Sequence, residues 1–324
     1  MSTVQVMLTM RDPCHNRTFL EGDILELIDG SLWVVKGCVH PGAPIAMPRL
    51  MSRRKIKRMN EALETITRYY PFFIKYVPEL GKEVPVITPS WIRRIRRFLQ
   101  FSVADNATNT HKSTIASVAT ELIELLRKEC GLRCGPTGSI LGGYAGEESD
   151  IDVNCVEEHD VLLCLRSLRT KGVLKPMNTM EFLRELPLVS ETLSWGDMSK
   201  LVRHRLTQGV FNGFRYTLRV INCGRVQRFL GPYIHVMRNT YMVFRVIDFD
   251  YRTPSIYKVE LLRPTTTSRD TYFITHRVRF TEVPAGTIFI ARGDIMLKNK
   301  ELAVLSLDMP SSKVEAMLLP RGAL

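Results

Sequence analysis

The chain has 324 residues, 45% hydrophobic and 24% charged. That is long enough for two or three domains with real cores, and it excludes collagen-like, coiled-coil and globally disordered classes. Its 45 Lys and Arg outnumber 33 Asp and Glu, giving a net charge of +12, which favours polyanionic partners such as nucleic acid or nucleotides.

No run reaches the ~18 apolar residues of a membrane span, and the stretch from Met1 to Pro13 lacks the apolar core of a secretory signal. The expectation is a cytoplasmic protein with no membrane partner. The cysteines stand at 14, 38, 130, 134, 155, 164 and 223, an odd number without a CxxC pair. In a chain of this size the pattern reads as reduced, buried thiols rather than a disulfide framework.

Three blocks differ in texture. The first, residues 1–105, reads as an α+β domain. Two strand-like runs, 23–28 and 31–36, flank Asp29-Gly30, which predicts a hairpin with a primed turn. A Pro-rich loop at 40–44 follows, then the basic run Arg53 to Arg58, a helical stretch from Met59 to Tyr70 and a second basic cluster, Arg93 to Arg97. Charge runs of this kind mark a solvated face or a nucleic-acid contact. Trp91, Phe98 and Phe101 beside the second run suit core packing or base stacking.

The second block, 106–225, opens with an amphipathic helix. Ile115, Val118, Ala119, Leu122, Ile123 and Leu126 recur at spacings of three and four, with Ser113 or Thr114 as cap and Gly131 as stop. Helices are predicted near 160–169 and 179–186, the second preceded by the capping-box spacing Asn178 to Glu181, and a strand over 214–221. The third block, 226–324, holds short strand-like runs at 241–247, 257–262, 272–280, 287–291 and 303–307. It predicts a small barrel or sandwich.

The chemistry concentrates in residues 135–153. Gly138-Ser139 is followed, after ten intervening residues, by Asp150-Ile151-Asp152-Val153. In a strand, alternate side chains share a face, so Asp150 and Asp152 project together, roughly 6–7 Å apart, while Ile151 and Val153 enter the core. Two such carboxylates repel unless a cation lies between them, and hard oxygen ligands suit Mg2+. Gly138 lets a phosphate approach the backbone, and the Ser139 hydroxyl adds a donor.

This stretch resembles the signature of the DNA polymerase β superfamily of nucleotidyltransferases, in which a Gly-Ser pair precedes acid–apolar–acid–apolar. The segments 29–41, 208–211 and 278–293 resemble an archaeal, multi-domain branch with that fold. The resemblance implies an α+β architecture with a central polymerase β-like nucleotidyltransferase domain. It implies that Gly138 and Ser139 bind a nucleotide triphosphate. Asp150 and Asp152 would be catalytic and hold Mg2+, with two ions if a third carboxylate joins them. The reaction would be transfer of a nucleoside monophosphate to a hydroxyl, RNA or DNA being one acceptor class. The strand expected to bring the third acid, 214–221, has none. Asn222, Asp197, Asp248 and Asp250 are the nearby alternatives. Lys200, Arg203 and Arg205 read as an exposed basic helix face or as phosphate ligands. The missing acid leaves an alternative, a catalytically degenerate protein of this fold that binds nucleic acid.

Overall fold

The computed structural model describes residues 18–102, 110–146, 148–157, 159–185, 199, 201–202, 204–265, 268–299, 301–309 and 311–320. The first block forms an antiparallel sheet of β1 (Ile24–Leu27), β2 (Leu32–Val35), β3 (Ala46–Met51), β4 (Arg54–Lys55) and β7 (Ile92–Arg96), in the order β4-β3-β2-β1-β7. Helix α1 (Met59–Tyr69) and the hairpin β5 (Ile74–Val77) with β6 (Lys82–Pro85) complete it. Leu25, Trp33, Val35, Ile66 and Phe73 pack its interior.

The β1–β2 hairpin forms, but without the expected primed turn. Only Gly30 has positive φ (79°), and a three-residue loop is closed by Leu27 N–H donating to Ser31 O. The Asp29 carboxylate accepts from Ser31 N–H and hydroxyl and fixes that loop instead. Paired positive φ values occur at Ser52–Arg53 between β3 and β4, and at Asn212–Gly213 between the strands β10 and β11 described next. These are the geometries that join twisted antiparallel strands directly.

The central unit contains α2 (Thr110–Cys130), β8 (Arg133–Pro136), α3 (Gly138–Gly142), β9 (Ile151–Val156), α4 (Leu162–Thr170), α5 (Thr179–Glu185), β10 (Gln208–Phe211) and β11 (Phe214–Ile221). Its sheet runs β10-β11-β9-β8, with β9 and β11 parallel. Ala119, Leu122 and Leu126 of α2 meet Ile151, Val153, Leu165, Tyr216, Leu218 and Val220 in one core. The helix begins at Thr110, upstream of the expected Ser113 or Thr114 cap, and ends where Gly131 turns left-handed (φ 65°). The capping box before α5 closes reciprocally: Asn178 N–H donates to Glu181 at 2.6 Å and Glu181 N–H to Asn178 at 2.9 Å.

The third unit is a closed five-stranded barrel. β12 (His235–Val246), β14 (Ser255–Arg263), β15 (Asp270–Thr275), β17 (Leu302–Ser306) and β16 (Ile288–Leu297) pair in a ring that β12 and β16 close, and β18 (Lys313–Leu318) pairs outside it with β16. Phe244, Tyr257, Phe273, Phe289 and Leu305 fill the interior. The expected boundary at 226 is bridged by both packing and pairing, with Leu201 in the barrel core. Asp250 to Thr253 leave the barrel, and β13 (Arg252–Thr253) pairs with β11 of the central sheet. Tyr251 is buried in the central core.

The expectation of reduced thiols is overturned. Cys38–Cys223, Cys130–Cys164 and Cys134–Cys155 are disulfides. The pairs are remote in sequence but juxtaposed by the fold. Cys134 and Cys155 face each other across β8 and β9, and Cys38 ties the first block to the end of β11. Cys14, the odd thiol, lies outside the described residues. Leu20, Ile24, Phe98, Leu141, Val156, Ile221, Phe229, Ile256 and Met296 form one shared core where all three units meet.

Candidate functional site

β8 delivers the chain to Thr137, whose N–H donates to Asp152 O at 2.9 Å. Gly138 follows at φ +57°, and a Cβ there would stand 2.5 Å from Asp152 Oδ2. The glycine is required by both its backbone and its neighbour. The one-and-a-half turns of α3 end at Gly143 (φ 73°), with Tyr144 N–H returning to Ser139 O at 3.0 Å. Ile151 and Val153 are fully buried in the central core, while Asp150 and Asp152 alternate with them and are partly exposed. Asp152 therefore leaves β9 on the face away from the core, with Gly138 against it, while Asp150 lies just before the strand.

β11 supplies the neighbour that sequence reading missed. Its Thr217 is level with Asp152 and its Arg219 with Asn154. Leu218 and Val220 enter the core, so Thr217 and Arg219 share the face of Asp152. The Arg219 guanidinium stands 3.7 Å from Asp152 Oδ1, with the two side chains 19% and 24% exposed. A lone Arg in a strand carries no motif. Its only signal was the alternation already applied to Asp152.

The first block builds the other wall. Thr137 Oγ1 donates to Gly22 O at 2.5 Å, and buried Asn154 donates to Glu21 O at 2.6 Å. The Glu21 carboxylate takes Lys36 Nζ at 3.0 Å and the Gly37 N–H. Burial alone would raise its pKa, but Lys36, His276, Gly37 N–H and Arg219 outweigh that and hold it at about 2. Arg49 of β3 lies within the field of Tyr144, Arg219, Asp152 and Glu21, with burial depressing its pKa most. Burial also pushes the Tyr144 phenol up to about 12.

One residue of each basic run reaches the end of α3. Lys55 Nζ lies 5.6 Å over the Tyr144 ring, and Arg96 donates to Gly142 O at 3.1 Å while pairing with Glu26 at 2.8 Å. The alternative third acids are committed elsewhere. Asp250 is held by Arg225 at 2.8 Å, by Arg252 and by Ile256 N–H. It sits by β13, on the edge of β11 away from β9. Asp248 accepts from Lys258 N–H at 2.7 Å, and Asn222 donates to Glu157 at 2.8 Å. Asp197, Lys200 and Arg203 lie outside the described residues.

Arg205 is neither a surface cation nor a phosphate ligand. It is 2% exposed, donating to Gln208 at 2.6 Å and to Arg279 O, which joins the central unit to the barrel. Phe98 is core, and Trp91 and Phe101 are partly buried. Among the described residues no group of three His, Cys, Asp or Glu side chains is arranged to hold a metal, and no helix is long and apolar enough to cross a membrane. In comparisons with known proteins no family model matches the chain, and no curated protein or solved structure matches it significantly.

Proposed function

We propose that this chain is a nucleic-acid-binding protein built on a nucleotidyltransferase-like core that has given up two-metal transfer. The observation that carries the reading is the Arg219 guanidinium 3.7 Å from Asp152 Oδ1. In the transfer reaction a carboxylate on the strand beside the acid pair would complete the set that binds two Mg2+ ions. Here β11 brings a permanent cation to that face. Two dications would have Asp150 and Asp152 as their carboxylates, and Arg219 and Arg49 would add repulsion. The residues do not fit a two-ion centre, and no step is derived through one.

Several features support nucleic acid as the partner. The net charge is +12. Lys55 and Arg96, one from each basic run, reach the end of α3. Such a surface binds phosphates without needing a metal, with affinity that falls linearly in log salt.

A second reading keeps Mg2+-dependent transfer from a nucleotide triphosphate, with Gly138, Ser139, Asp150 and Asp152 in their expected roles. The close seat of Gly138 on Asp152 favours it. The three disulfides suit an oxidising compartment, or a cytosol of the hyperthermophilic kind that keeps disulfides.

The test is incubation of the full chain with each labelled nucleotide triphosphate, Mg2+ and RNA or DNA. The expected result is no label on either polymer, together with nucleic-acid binding that EDTA leaves unchanged. Incorporation that disappears in Asp152→Asn would overturn this reading and establish the transferase.

A further inference from the structure

Among the described residues, the most exposed aromatic side chains are Tyr69, Phe72 and Tyr76, at 55%, 50% and 52%. They fall within eight consecutive positions at the end of α1 and the start of β5. Phe72 rests on the core. Phe72 lies 5.3 Å from the Trp91 ring and 4.7 Å from Phe73, and Phe73 is part of the buried core with Trp33 and Tyr70. Ile74 and Tyr76 are alternate residues of β5, both exposed, while Val77 is buried. Alternate strand residues share a face at roughly 6.6 Å spacing.

An apolar face left open marks a binding surface, and its charges say for what. Arg68 lies 5.3 Å over the Tyr69 ring. Lys75 is exposed between Ile74 and Tyr76, and Arg93 and Arg94 are exposed just past Trp91. The acids nearby are Glu83, level with Tyr76 on β6, Glu26, 3.7 Å from Arg93, exposed Glu64 one turn before Arg68 on α1, and Asp29, which accepts from the Tyr70 hydroxyl. Flat rings interleaved with cations match what single strands need: unpaired bases stack on the rings while phosphates meet the cations. A duplex hides its base faces and cannot use the rings.

We infer that the exposed segment carrying Tyr69, Phe72 and Tyr76, with Arg68 and Lys75 along it, is a stacking platform for single-stranded nucleic acid. The inference rests on the nucleic-acid reading above and adds the strand class and the surface.

The experiment measures binding of a labelled oligo-dT or oligo-U strand, and of a duplex of equal length, to the full chain at several salt concentrations. Tryptophan fluorescence, compared between the wild type and Trp91→Phe, reports on the site. The wild type should prefer the single strand. Phe72→Ala and Tyr76→Ala should each weaken single-strand binding about tenfold while leaving duplex binding and the salt slope unchanged. Lys75→Ala should lower the salt slope by about 1. Phe72→Trp should restore binding, which a merely misfolded hairpin would not permit, and a thermal melt checks each variant.

If the wild type binds strands but both aromatic variants bind equally well, the platform is overturned and the nucleic-acid reading survives. Absence of any wild-type binding overturns both. Duplex preference, or variants that lose only self-association, points to a different occupant and overturns the platform.

Discussion

Asp23 and Glu21 are two residues apart and titrate in opposite directions. Burial pushes the Asp23 carboxyl up to about 6, against the Leu20 and Phe98 N–H groups and Arg97, which favour its charge. Between the ordinary 3.8 and about 6 the folded chain holds a proton that the unfolded chain has released. The stability that Asp23 contributes, worth roughly 3 kcal/mol, is complete below that window and is lost as pH rises through it. Glu21 runs the other way: its contribution is present above the ordinary 4.5 and is lost as pH falls toward about 2. Asp23→Asn keeps an acceptor for the Leu20 and Phe98 N–H groups. It should abolish the fall in melting temperature expected of the wild type between pH 4 and pH 6, and an unchanged slope would refute the assignment. At this scale partly exposed Asp152 between buried Ile151 and Val153, and the close seat of Gly138, were legible because two-residue alternation and a missing Cβ are local properties. Arg219, Glu21 and Arg49 were not, because what they do depends on which strand lies beside them.

Elements were legible where their pattern was self-sufficient. β11 occupies the expected 214–221, and α4 and α5 fall close to their predicted spans, since periodicity and caps are written locally. The excursion of Asp250 to Thr253 was not legible. Nothing in Asp248-Phe-Asp-Tyr251 says that the segment leaves the barrel to pair with β11. Its reason is tertiary: Tyr251 and Arg252 both meet Glu157, at 2.5 and 2.6 Å. The disulfides failed for the same cause, since sulfur pairing follows packing rather than spacing. Cys38–Cys223 closes a separation of 185 residues between the β2–β3 connection and the end of β11. Constraining so long a loop in the unfolded chain stabilises by roughly 3–5 kcal/mol. The Cys38→Ala, Cys223→Ala double variant should lose about that much in denaturant titration under non-reducing conditions. A wild-type midpoint in the double variant would mean that the bond contributes nothing.

The three units share a core, and the candidate site lies at their junction. The central sheet contributes Asp150, Asp152 and Arg219, and the first block contributes Glu21, Lys36, Arg49 and Lys55. His276 of the barrel approaches Glu21 at 3.8 Å. The site's character is therefore set by the assembly. The central motif alone reads as an acid pair, whereas the folded chain sets Arg219 and Arg49, from two units, in the field of Asp152. The small barrel at the end was legible in the rhythm of turns and strands, but the approach of Lys55 and Arg96, one from each basic run, to Tyr144 and the end of α3 was not.

Titration of the wild type with Mn2+, a spectroscopically visible stand-in for Mg2+, followed by electron paramagnetic resonance, puts the role of Arg219 to the most direct test. Free and bound ion are distinguished by that signal, so the readout is independent of any activity. The wild type should show no stoichiometric site, and Arg219→Asp, which supplies the acid that β11 lacks, should create one that Asp152→Asn then removes. A tight, Asp152-dependent Mn2+ site in the wild type would show that the guanidinium does not stand in for the metal.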